Sequence, residues 1–164
     1  MKKIILFVTI VSIVACKRIF CPDDDFNIQK KDYVGNALIF NGFYYYTADG
    51  RSFRYSLYTN GIVRELGRGD SLNDDNFFPR DDEDSWGLFE INNQTIKLEM
   101  LASPGGGQLY SYTKEGMILN DTTFQMTESY RLKKGKKTEY KIIDRLYHFY
   151  QYSPKPDSTN DFIK

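Results

Sequence analysis

One histidine, one tryptophan and two cysteines occur in 164 residues, and 22 basic side chains balance 22 acidic ones. Each scarcity closes a class of function. A single imidazole cannot build a metal site that needs two. Balanced charge gives no counterion-release drive toward nucleic acid. The longest apolar run, Ile4 to Ala15, has twelve residues. A membrane-spanning helix needs roughly 20. No Gly-x-Ser-x-Gly occurs to place a nucleophile on a strained turn, and no convincing amphipathic helix follows the apolar run. What abounds is aromatic: 13 Tyr and 12 Phe, residues that fit a pleated, half-buried surface. The length suits one domain.

Met1-Lys2-Lys3 followed by a short apolar core has the layout of a secretory signal peptide. Ile13-Val14-Ala15-Cys16 resembles the bacterial lipobox, with small Ala15 before the cysteine and Lys17-Arg18 after it. The resemblance implies cleavage before Cys16 and a diacylglyceryl group on its sulfur, with further acylation such as palmitate. It divides the chain into a signal peptide (1–15), a lipidated tether (16–36) and a β-domain (37–164). One acyl chain holds a protein weakly, whereas two or more anchor it stably. A lipidated Cys16 leaves Cys21 as a lone thiol. The tether is polar and irregular, and its Asp23-Asp24-Asp25 resembles the acidic export signal of Bacteroidetes-type lipoproteins, displaced by Lys17-Arg18-Ile19-Phe20.

The body reads as hairpins. Asn41–Thr47 and Arg51–Thr59 flank Asp49-Gly50, a dipeptide that favours tight turns because both positions take positive φ. Asn60-Gly61 is a second such turn, before a strand at Ile62–Leu66. Residues 67–85 form a long loop rich in Gly, Asp and Asn. Trp86–Ile91 and Gln94–Met100 form a hairpin around Asn92-Asn93. Gln108–Thr113 is expected as the sixth strand, closed by a turn at Glu115-Gly116. The seventh lies within Met117–Leu132, kinked at Asn120-Asp121, and the last within Thr138–Tyr152, centred on Arg145–Tyr152. Lys141–Leu146 is a candidate for a turn or two of helix. Eight short strands joined mostly by tight turns predict an all-β antiparallel meander, an up-and-down barrel that is closed or partly open. Eight strands leave an interior that holds side chains or one small ligand.

The stretch Gly87-Leu88-Phe89-Glu90-Ile91-Asn92-Asn93-Gln94-Thr95-Ile96, with Thr122-Thr123-Phe124-Gln125-Met126 later, resembles hairpins of bacterial lipocalin-like lipoproteins. Asn41-Gly42-Phe43-Tyr44 stands where true lipocalins carry Gly-x-Trp. The chain is similar to small Bacteroidetes-type lipoproteins. The resemblance implies a lipid-anchored barrel in the cell envelope, at the outer membrane on its periplasmic or surface face.

Candidate chemistry is sparse. His148 alternates against Tyr147 and Phe149 and reads as a surface residue. Glu90 and Glu99 are the conceivable carboxylate pair for glycoside hydrolysis, although alternation places both outward. Asp70, Asp74, Asp75, Asp81, Asp82, Glu83 and Asp84 crowd one loop without calcium-loop spacing. Asp70-Ser71-Leu72, Asp121-Thr122-Thr123 and Asp157-Ser158-Thr159 resemble the Bacteroidetes-type O-glycosylation site at Ser71, Thr122 and Ser158. A ligand face is expected from Tyr44, Tyr46, Tyr55, Tyr58, Tyr110 and Tyr112, since each phenol offers a flat face and a polar tip. The expected function is a non-enzymatic envelope lipoprotein. It needs no cofactor or metal and binds a small ligand or protein partner, not nucleic acid. The alternatives are an assembly role with a solidly packed barrel and a carboxylate-dependent hydrolase.

Overall fold

Eight antiparallel strands pair in sequence order and close on themselves in the computed structural model, which describes residues 23–69, 82–103 and 107–163. They are β1 (Gly42–Ala48), β2 (Arg51–Leu57), β3 (Ile62–Gly69), β4 (Trp86–Asn92), β5 (Thr95–Ala102), β6 (Tyr110–Asn120), β7 (Thr123–Lys133) and β8 (Lys136–Gln151). The expected meander and its closure are therefore present. β1 meets β8 only from Gly42 opposite Gln151 to Tyr45 opposite His148. Toward the other end of the seam, β8 is paired with β7 alone. The expected signal helix, Cys16, Cys21, Ser71 and most of the acidic loop lie outside the described residues.

Three local expectations are corrected. Glu115-Gly116 is not a turn, because β6 runs through it to Asn120. The β6–β7 register shifts between these residues, and a Cβ on Gly116 would collide with the Gln125 backbone oxygen. The glycine there marks a bulge and a close backbone approach. The chain reverses instead at Asp121–Thr122, where a kink was expected. Lys141–Leu146 is strand, part of a sixteen-residue β8. At Asn60-Gly61 only Gly61 has positive φ, +80°. The Gly61 amide donates to Tyr58 O at 3.0 Å and the Tyr58 amide to Ile62 O at 2.9 Å. That is a three-residue loop ending in a left-handed glycine, not a two-residue turn. Asp49-Gly50 is as expected, with φ +51° and +72°.

Alternation sorts each strand into an inner and an outer face. Tyr44, Tyr46, Tyr55, Leu57, Val63, Phe89, Ile96, Leu98, Met100, Phe124, Met126 and Tyr147 fill the inside. Outside, a second cluster of Tyr58, Ile62, Trp86 and Leu88 is covered by Ile28 and Ile163 from the two terminal segments. The part of the expected tether from Asp23 onward is thus bound to the barrel as a strap. Its Asp24 amide donates to Leu109 O, and its Tyr33 amide to Thr59 O at the opposite end. Leu38 then joins the core, the Ile39 amide donates to Asp121 O, and the chain turns into β1. This end is sealed by Leu38 and by Tyr33, Phe40 and Phe89, whose ring centroids lie 5.4–6.3 Å apart. The other end, the mouth, carries the turns at Asp49-Gly50 and Lys134-Gly135.

Candidate functional site

The mouth half of the interior is built from alternate residues of five strands. Directly opposed residues in an antiparallel ladder share a face. Glu65 lies opposite Tyr55, Lys114 opposite Leu98 and Arg145 opposite Met126. Each opposing residue belongs to the core, so all three ionisable side chains face inward. All three are half-buried rather than sealed off.

The tyrosines organise this cluster. The Tyr55 hydroxyl accepts from Lys114 Nζ at 2.6 Å and donates to Glu65 Oε2 at 3.4 Å. Arg145 lies over the Tyr46 ring at 5.1 Å. Tyr46 is stacked on Phe53 at 4.7 Å and meets Tyr147 edge-on at 4.9 Å. The Tyr147 hydroxyl is buried beside the Arg145 guanidinium, with no partner at ordinary hydrogen-bond distance among the described residues. Burial pushes the Tyr55 and Tyr147 phenols well above their ordinary values, and the positive charge of Arg145 works against that in both. Arg145 makes no ion pair with a carboxylate among the described residues. Among the described residues, these three inward groups carry two positive charges and one negative.

The six expected tyrosines separate. Tyr44 is inside but toward the sealed end, and its hydroxyl is engaged with Ile39 and Asp121 backbone groups at 2.9–3.0 Å. Tyr46 and Tyr55 line the mouth. Tyr110 and Tyr112 stand at its rim: Arg131 covers the Tyr110 ring at 4.0 Å, and the Tyr112 hydroxyl donates to Glu139 at 2.8 Å. Tyr58 is on the outer face, buried beneath Lys155 at 4.3 Å. It therefore stands apart from the rest. Glu65, Lys114, Arg145 and Tyr147 were not singled out from the sequence. The available clue was their phase, since Lys114 continues the two-residue spacing of Tyr110 and Tyr112, and Arg145 that of Tyr147 and Phe149.

Other candidates have structural partners. Glu99 is fully buried on the outer face. Its carboxylate accepts from the Asn27 amide at 2.8 Å, the Ile28 amide at 2.7 Å and Asn27 Nδ2 at 2.6 Å, and from the Ser111 hydroxyl. Glu90 pairs with Lys97 at 3.5 Å. His148 is exposed on the outer face. Thr122 donates its hydroxyl to Asn120 at 2.8 Å, and the Ser158 hydroxyl accepts from Asn60 at 2.9 Å. No group of three or more metal-ligating side chains occurs among the described residues, and no helix there is long and apolar enough to cross a membrane. No family model, curated protein or solved structure matches this chain.

Proposed function

We propose that this chain is a lipid-anchored envelope protein whose barrel binds, without catalysis, a small ligand bearing an anionic group. The observation that carries this reading is the Arg145 guanidinium, held inside the mouth beside the buried Tyr147 hydroxyl and the Lys114–Tyr55 pair. A barrel serving only as a packed body has no need of inward charges, whose partial desolvation costs free energy. A carboxylate or phosphate supplies the anionic partner that Arg145 does not find among the described residues. Its oxygens accept from the guanidinium fork and from the phenol together. The flat faces of Tyr46 and Phe53 suit a ring attached to that group. The assembly alternative draws support from the packing below the mouth, where the Phe124 ring lies 5.0 Å from Tyr44 and 4.8 Å from Tyr147. The hydrolase alternative gains none from Glu99, whose oxygens hold the strap.

Tyrosine ring NMR signals, followed while an aromatic carboxylate or a neutral sugar is added, test the proposal. The carboxylate should shift Tyr46, Tyr55 and Tyr147 selectively. Arg145→Gln should weaken that response by about tenfold or more, the scale of one lost charge-assisted contact. Equal responses in both proteins, or no response to any anionic probe, would overturn it.

A further inference from the structure

The β7–β8 hairpin carries features that the ligand site does not use. Its tip is Lys133-Lys134-Gly135-Lys136-Lys137, all exposed. Lys137 is engaged by Glu115 and Glu128 at 3.4 and 3.0 Å. Lys133, Lys134 and Lys136 make no ion pair among the described residues. Just behind the tip, Ile142 is 82% exposed and Tyr140 53%. Both stand on a strand whose edge, up to Leu146, has no partner but β7.

The strap begins at the same end. Asp23 and Asp24 accept from the Leu109 and Ser111 amides at 2.7 and 3.2 Å. Asp24 also takes a forked contact from Arg131 at 2.8–3.1 Å. Cys16 lies seven residues before Asp23, a reach of at most about 25 Å when fully extended. A lipid on Cys16 therefore holds the mouth end, not the sealed end, toward the bilayer.

We infer that the tip of the β7–β8 hairpin is a second membrane contact, docking the mouth end of the barrel onto an anionic lipid surface. Amines are drawn to such a surface, and an exposed aromatic and aliphatic pair beside them suits the headgroup boundary. The barrel then presents its mouth to the membrane, so a ligand reaches Arg145 from the lipid side. The inference rests on the reading of Cys16 as the anchor.

Hydrogen exchange tests it on the mature protein purified from its own membranes. The protein is placed in vesicles of phosphatidylcholine alone or mixed with phosphatidylglycerol. Flotation with either vesicle reports the anchor. Slowed exchange at residues 133–142 on the phosphatidylglycerol vesicles alone reports the docking. The triple variant K133E/K134E/K136E should float as before but lose that slowing, with hairpin occupancy on the anionic vesicles falling more than about tenfold. Flotation with identical exchange on both vesicles overturns the docking and leaves the anchor standing. Protection in detergent that grows with protein concentration also overturns it, because a second copy then covers the β8 edge. A protein that floats with neither vesicle removes the anchor, and the docking that rests on it falls with it.

Discussion

Gly61 meets two demands at once. Its φ of +80° lies where a β-branched side chain is strained, and a Cβ there would collide with the Lys31 backbone oxygen of the strap. Gly61→Val should therefore lower stability by about 2 kcal/mol or more, read as a fall in the thermal midpoint. Lys155 gives a pH-dependent counterpart. Its amine donates to the Phe40 and Leu57 carbonyls, both at 2.5 Å, and burial lowers its pKa from 10.5 to about 8. Between those values the unfolded chain binds a proton that the folded chain releases. Stability from this residue is thus reduced below about pH 8 and recovers as pH rises toward 10.5. Lys155→Met should abolish that recovery. The midpoint of the wild type minus that of the variant, followed from neutral pH to about 10, should increase with pH. A flat difference would show that folding does not lower the amine's proton affinity.

At the scale of elements, the strap shows what hydrophobic patterning conveys and what it omits. Alternation placed Glu99 on the outer face, and that is where it lies. Alternation could not say that the outer face is covered, because the strap is polar and has no period of its own. Its contacts are backbone amides on a buried carboxylate. Glu99→Ala should cost about 3 kcal/mol by leaving those donors unpaired, with amide exchange accelerated first at Asn27 and Ile28. A stability loss without faster exchange there would mean that the strap is held elsewhere. The strands themselves were legible wherever aromatic alternation was bounded by Asp-Gly or Asn-Asn. They were misread at Gly116, because a glycine after Lys114-Glu115 spells a turn locally, whereas the neighbouring strand requires a bulge. β8 was under-read at its start for a similar reason. Lys136 to Asp144 is rich in charge because it forms an open edge, and lysines on an open edge discourage unwanted pairing.

For the whole molecule, the sealed end, the mouth and the strap define one axis, and the proposed lipid on Cys16 would lie toward the mouth end of it. Cys16→Ser should move the protein from the membrane to the soluble fraction, or stall it as an uncleaved precursor, while Cys21→Ser should leave its location unchanged. Fractionation after labelling with a fatty-acid analogue separates the two, and label retained only in Cys16→Ser would contradict the assignment. The proposed ligand site was only partly legible. Tyr46 and Tyr55 could be chosen as aromatic, but the charges among them fall on strands too distant in sequence to be seen together before the barrel closes. Native mass spectrometry of the protein taken from its own membranes tests the central claim most directly. A small anionic molecule should co-purify with the wild type and be absent from Arg145→Gln. Wild type and variant both free of bound mass, with a stable protein partner retained in each, would contradict it.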